Sequence, residues 1–429
     1  MFSPAQRHLT NRHGMLFIEG VSAAEIAREF GTPVYVTSEA RIRENYRRLH
    51  SAFATVKKDF KINYAVKANS NLSIMKVLKE EGAGADCASP AEIYFAGLAG
   101  FGRESTMYSG NYNSDAELQT ALDSGVIINL DDGPLLRRLM KFGKPELISF
   151  RINPGTGKGR YAGITTAGPE AKFGMMEREA LAAYREAKLA GISKFGMHMM
   201  TGSNVLEADY FSLVTGKLMD IASRISRELA ITFEFIDIGG GLGVPYEPEE
   251  KELDIEMVAR AVVEVFDRAL SSCRSLGNPT LMVEPGRYLV ADSTVLLSTV
   301  TYVKRSVRTF VGCDGGMNVL LRPALYGSYH EILVANKLDS PLTEKVDITG
   351  QICENTDVMA KGRKICHVES GDVLAIMNAG AYGFSMASRY NGRPLPSEVM
   401  VSNGRARLIR RREDNADMLR TQEILSHKL

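Results

Sequence analysis

The order of apolar and polar residues along the chain switches repeatedly between two periods. In KINYAVKAN, Ile62, Tyr64 and Val66 alternate with polar or smaller residues, the period of two expected of a strand. The following LSIMKVLKEEG sets Leu72, Met75 and Leu78 three apart, the spacing of one helix face. The exchange recurs. GADCAS precedes SPAEIYFAGLAG, TMYSG precedes SDAELQTALDSG, and VIINLD precedes GPLLRRLMKFG. LISFRINPG leads through a Gly-rich insertion to REALAAYREAKLAG. FGMHMMTG leads to ADYFSLVTGKLMDIASRISRELA, FEFIDIGGG leads to DIEMVARAVVEVFDRALSSCRSLG, and TLMVEPG closes the series. Ser89 predicts an N-cap, with Pro90 at the first helical position and Glu92 closing a capping box. Ser114 and Glu117 repeat the signature.

Eight strand candidates separated by helices imply parallel strands joined by crossovers. Eight point to a closed (β/α)8 TIM barrel over residues 38–290, with an open doubly wound sheet as the structural alternative. After residue 290 the texture changes. STVLLSTVTYVKRSVRTF, KVDITGQIC, DVLAIMNAG and RARLIRR are strand-like and punctuated by Gly and Pro, with no amphipathic helix between them. They predict a second, all-β domain over 291–429, to which residues 1–37, with TPVYVTS at their end, add a strand.

Composition narrows the functional classes. At 429 residues, the chain is long for one domain, and 45% hydrophobic content supplies ample core. A net charge of +1 gives no footprint for nucleic acid. No apolar run is long enough to span a bilayer, and MFSPAQRHLTNRHG lacks the apolar core of a signal peptide. The terminal SHKL is only loosely like a peroxisomal S-K-L signal, and chance is the better reading. The five cysteines are scattered without a C-x-x-C pair. That argues against a disulfide framework or a structural metal site, and fits a reducing compartment such as the cytoplasm.

In a barrel of this kind the chemistry sits at the C-terminal strand ends. Those ends carry Lys67, Asp86, His198, Ser203, Gly239–Gly241, Glu284 and Arg287, besides Ser109, Asn129 and Arg151. Each has a plain reading. Lys67 could snorkel at a strand end, DIGGGLGVPY could be a tight turn, and Glu284 could pair with Arg287. Each also has a chemical one. A desolvated lysine forms Schiff bases, a glycine turn after strand seven holds a phosphate, and a carboxylate can bond a ring nitrogen. Lysine, phosphate nest and carboxylate together describe a site for pyridoxal 5′-phosphate.

The motifs YAVKAN, GADCAS, MHMMTGS, DIGGGLGVPY and EPGRY resemble those of the barrel-type (fold-type III) pyridoxal-phosphate decarboxylases, which act on diaminopimelate, ornithine and arginine. RPALYGSYHEI, ICENTDV, AGAYGFSMASRYNGRPLPSEV and GRARLIRRRE resemble the diaminopimelate branch most. The resemblance implies Lys67 as the Schiff-base lysine. It implies Ser203, Gly240 and Gly241 at the phosphate, and Glu284 at the pyridine nitrogen, with Asp86, His198, Gly286 and Arg287 around the cofactor. Arg287, Arg322 and Tyr326 match the holders of the substrate's distal carboxylate. Glu354 matches the reader of its distal amino group, Cys353 the acid, and Tyr382 a residue touching cofactor and substrate. In the family Cys353 and Glu354 serve the other subunit, so a homodimer with shared sites is implied.

Two positions depart from the pattern. The family's His-x-His-x-Gly-Ser reads His198, Met199, Met200, Thr201, Gly202, Ser203 here, so Met200 holds the ring-stacking place. A thioether packs on an aromatic ring but carries no titrating imidazole. Asn355 replaces a serine. The expected function is decarboxylation of meso-diaminopimelate to L-lysine. The rivals are decarboxylation of D-lysine, D-ornithine, L-ornithine or L-arginine, a racemase, and a catalytically dead binding protein.

Overall fold

The computed structural model describes residues 7–159 and 166–424. The Ser426–Leu429 tail and part of the Gly-rich insertion lie outside the described residues. The chain divides into two compact units, one of residues 42–245 and 249–290, the other of 1–41, 246–248 and 291–429.

The first unit is a closed barrel of eight parallel strands. They are β1 (Phe60–Ala65), β2 (Gly84–Cys87), β3 (Thr106–Tyr108), β4 (Ile127–Leu130), β5 (Leu147–Ile152), β6 (Lys194–Met199), β7 (Phe235–Asp237) and β8 (Thr280–Val283). Val283 pairs with Ile62, which closes β8 onto β1. The helices that return the chain begin where the sequence signals them. Ser89 accepts from the Glu92 amide with Pro90 in the first turn, and Ser114 and Glu117 form a full capping box. The Glu92 carboxylate departs from expectation. It accepts from the Ala88 amide at 2.7 Å, one residue before the cap, so that box is not closed.

Side chains on one face of a strand recur every second residue, which layers the barrel interior. Met107, Phe235 and Met282 form a buried apolar cluster with Ile127 and Leu147 against it. Two residues further along the same strands come Ser109, Asp237, Glu284, Asn129 and Ser149. An apolar plug therefore underlies a polar layer. Gly196 makes room for the plug, since a Cβ there would meet the Phe235 ring at 2.2 Å.

The second unit is built on a nine-stranded sheet. Its axis is the strand Thr294–Arg305, which pairs antiparallel with Val34–Ser38, Thr309–Cys313 and Val373–Ile376. Val34–Ser38 comes from the start of the chain, as TPVYVTS predicted. Short helices are also present, among them Ala23–Phe30 and Arg322–Tyr326. No helix among the described residues is long and apolar enough to cross a membrane.

Gly196→Val should destabilise the barrel by about 1–3 kcal/mol through overpacking against Phe235. Urea denaturation should show part of that loss recovered in Gly196→Val/Phe235→Ala. A double variant no more stable than the sum of its singles would contradict the layered plug.

Candidate active site

Lys67 stands just past β1, in the single turn Val66–Ala68, with its side chain 38% exposed. Its Nζ donates to Asp86 Oδ2 at 2.7 Å, and Asp86 Oδ1 accepts from the Ser109 hydroxyl. Asp86 is fully buried. Burial alone would raise its pKa, but the charge and hydrogen bond of Lys67, with the Ser109 hydroxyl, hold it below the ordinary carboxylate value. Three adjacent strands thus supply an ammonium with a fixed counter-charge.

Glu284 follows β8, the strand that pairs with β1, and is 4% exposed. Its Oε2 meets His198 Nε2 at 2.9 Å, and His198 Nδ1 meets Asn129 Nδ2 at 3.2 Å. Asn129 Oδ1 accepts from Ser149 Oγ at 2.8 Å. Glu284 Oε1 is buried with no partner. The ion pair of Glu284 with Arg287 that the sequence allowed does not form. Pro285 and Gly286 turn the chain, and Arg287 Nη2 reaches Ser203 Oγ at 3.3 Å instead. Gly286 lies against β1, where a Cβ would meet Ala68 Cβ at 2.9 Å.

Asp237 is a second buried carboxyl in this layer. Burial first, then the Glu284 charge, pushes its pKa well above the ordinary value. Its Oδ1 accepts from the Gly239 amide at 2.8 Å, while Oδ2 is buried with no hydrogen-bond partner. A carboxylate has about four acceptor positions, so Glu284 can take His198 on Oε2 and still offer Oε1.

The glycine turn after β7 packs backbone on backbone. A Cβ on Gly239 would lie 2.2 Å from Met199 O, and one on Gly240 would lie 2.3 Å from Glu284 O. Gly239 and Gly241 have φ of 74° and 96°, the left-handed region that suits glycine. The Gly240 amide donates to Met200 Sδ at 3.2 Å. A thioether is a weak acceptor, so that amide is available to a stronger one.

In the other unit, Arg322 is 4% exposed, its guanidinium 4.6 Å from the Tyr246 ring centroid. Its Nη1 lies 3.0 Å from His330 Nε2, and His330 Nδ1 lies 2.8 Å from Met377 O. The carbonyl requires a proton on Nδ1, so Nε2 accepts from Arg322. Tyr326 ends the same short helix, half-buried. Cys353 is exposed and gripped by Asn391, whose Oδ1 accepts from its amide at 3.0 Å and whose Nδ2 reaches Sγ at 3.1 Å. Glu354 accepts from the Tyr390 hydroxyl and, at 3.0 Å, from Thr356 Oγ1. Those bonds lower its pKa. Tyr382 has φ 57°, a backbone conformation that costs a bulky residue about 1–3 kcal/mol. Asn129, Ser149, Asp237, His330, Tyr390 and Asn391 were assigned no role from sequence. Asn-Gly at 391–392 is a turn signal that marks one of them.

These residues suit pyridoxal phosphate. An amine with a fixed counter-ion, a buried carboxylate oxygen with spare acceptor capacity, and a side-chain-free glycine cradle occupy one end of one barrel. Residues 39–291 match the family profile described as "Pyridoxal-dependent decarboxylase, pyridoxal binding domain". The chain belongs to the pyridoxal-dependent decarboxylases. It is 50% identical to diaminopimelate decarboxylase of Methanothermobacter thermautotrophicus, over 96% of this chain and 97% of that one. It is 43% identical to diaminopimelate decarboxylase of Thermoplasma acidophilum, over 94% of this chain and 96% of that one. The crystal structure of diaminopimelate decarboxylase from M. jannaschii in complex with L-lysine superposes with a TM-score of 0.92 at 33% identity. That likeness covers 99% of this chain and 100% of that one.

The raised pKa of Asp237 has a measurable sign. The unfolded chain releases this proton near pH ~4, while the folded chain keeps it to higher pH. Folding then binds a proton, so the Asp237 contribution to stability falls as pH rises through that window. Asp237→Asn, which keeps the donor, should abolish this slope. Denaturation midpoints of both proteins across pH 4–8, both remaining folded, measure it, and parallel curves would contradict a protonated Asp237.

Proposed function

We propose that the chain decarboxylates meso-diaminopimelate to L-lysine, with pyridoxal 5′-phosphate carried on Lys67. The observation that carries the reading is the unpartnered, buried Glu284 Oε1 in the same polar layer as the Lys67–Asp86 pair. The N–H of a protonated pyridine ring nitrogen is a donor of the kind that a buried, unsatisfied carboxylate oxygen needs. The near full-length likeness to diaminopimelate decarboxylases supports the substrate.

The bound cofactor supplies an electron sink for the pair left behind when carboxylate departs as CO2. The protein's side chains do the rest. Asp86 keeps Nζ of Lys67 in place through a charge-assisted bond. Glu284 holds the proton on the ring nitrogen. Gly240, Gly241 and Ser203 would hold the phosphate, the Gly240 amide being engaged only by the weak acceptor Met200 Sδ. Met200 would serve the cofactor ring, and Tyr382 the cofactor and substrate. Arg322, oriented by His330, and Tyr326 take the substrate's distal carboxylate, Arg287 contributes a further cation, and Glu354 takes the distal ammonium. Cys353 Sγ–H, or Lys67 Nζ, returns a proton to the carbon that lost CO2. Cys353 and Glu354 are assigned to the partner's site in a two-fold homodimer, following the resemblance.

Purified holoenzyme incubated with a panel of amino acids should release CO2 and L-lysine from meso-diaminopimelate. If no panel member releases CO2 while Met200→His does, the chain is a dead homologue. Arg322→Ala should weaken diaminopimelate binding by about 2–5 kcal/mol, read as KM, with D-lysine far less affected. Equal losses for both substrates make Arg322 structural.

Shared sites predict complementation. Lys67→Ala and Cys353→Ala homodimers should each be nearly inactive. Reassembled in equal amounts, about half the dimers are heterodimers with one intact site each, so activity returns to about a quarter of wild type. Demonstrated subunit exchange with no recovered activity would place Lys67 and Cys353 in one chain's own site.

A further inference from the structure

With methionine at position 200, His198 is the one histidine on the barrel strands. It does not occupy a ring-stacking position. It is 1% exposed, at the level of the polar layer, between Asn129 and Glu284. We propose that His198 is a positioning residue: a neutral imidazole, locked as its Nε2–H tautomer by Ser149 and Asn129, that fixes Glu284 for the cofactor's ring nitrogen. This rests on the reading of Glu284 given above.

Ser149 Oγ is a hydroxyl 2.8 Å from Asn129 Oδ1, and donating there turns the amide so that Nδ2 faces His198. Nδ2 can only donate, so His198 Nδ1 is an acceptor and carries no proton. The ring's proton is then on Nε2, 2.9 Å from Glu284 Oε2. Each member fixes the next, and the chain ends by occupying one carboxylate oxygen and leaving the other, Oε1, for a second donor.

The competing arrangement rotates the Asn129 amide by half a turn. Its oxygen would then face Nδ1, and Nε2 would still face a carboxylate, so the ring would need both protons. That imidazolium would be a further buried cation in a barrel end already holding Lys67 and Arg151, at a cost in desolvation. Asn129 is the direct ladder partner of Ser149, and His198 that of Arg151, so all three groups of the chain stand on barrel strands and none on a loop.

The test uses the full-length protein labelled with ring-15N histidine, with and without pyridoxal phosphate. His198→Gln identifies the resonances by their loss. Wild type should show one protonated nitrogen at ε2 and one bare nitrogen at δ1. Asn129→Asp, which replaces the donor by an acceptor, should convert the ring to the doubly protonated form. A doubly protonated or Nδ1–H ring in the wild type overturns the proposal. A cofactor titration supplies the second readout. His198→Phe should loosen pyridoxal phosphate about ten- to a hundred-fold, the loss expected for a hydrogen bond to a charged group. His198→Gln, which presents an amide N–H at a similar reach, should recover most of that affinity, and equal losses in both would make the role one of packing. Glu284→Gln separates the two levels. If it leaves cofactor affinity and activity unchanged, the ring-nitrogen reading of Glu284 fails. If it impairs them while His198→Phe does not, only the positioning role of His198 fails.

Discussion

A carboxylate inside a barrel costs several kcal/mol unless donors meet it, and much of this barrel's interior is arranged around that constraint at Glu284. His198 meets it from β6, and the Glu284 charge helps raise the pKa of the buried Asp237 at the end of β7. Asn129 and Ser149, paired across β4 and β5, orient the imidazole. These groups come from five consecutive strands, β4 to β8, so they meet only once those strands have paired in register. The apolar layer beneath enforces the register. Phe235 fills the space that Gly196 leaves, and two residues on, the same strands deliver Asp237 and His198.

The second charge centre obeys the same rule with opposite sign. Lys67 is half-exposed where it must meet a ligand, and Asp86 beneath it is wholly buried. The buried partner is the rigid one, which keeps the ammonium in place while its far side stays accessible. The β unit repeats the device. Arg322 is buried and oriented by His330, itself fixed on the Met377 carbonyl, whereas Cys353 and Glu354 are exposed and steered by Asn391 and Tyr390. In both units a reactive or recognising group stands on a neighbour whose own geometry is fixed by hydrogen bonds.

Much of this was legible in the sequence because strand periodicity is local. Ile62, Tyr64 and Val66 announced β1, and the barrel rule then put Lys67 at its functional end. Glycines after an apolar strand marked the turn at 239–241, and the run of motifs marked the family. What escaped depended on closure. No local pattern says that His198 faces Glu284, 86 positions later. The plain alternative of a Glu284–Arg287 pair gave way to His198 for Glu284 and Ser203 for Arg287, partners that stand on other strands and that no local pattern names. Glu92 illustrates the limit at finer scale: the right residue stood at the right spacing, yet its carboxylate took the amide of Ala88 because that donor also lay within reach. Asp237 was read only as the end of a strand, since burial decides its protonation and sequence does not report burial.

The central claim is that the polar layer at this barrel end exists to hold pyridoxal phosphate on Lys67 opposite Glu284. Borohydride reduction of the holoenzyme, followed by proteolysis and mass spectrometry, tests it most directly. The account predicts a stable pyridoxyl group on the peptide containing YAVKANSN, at Lys67, with no such adduct in Lys67→Ala. An adduct on any other lysine would contradict it.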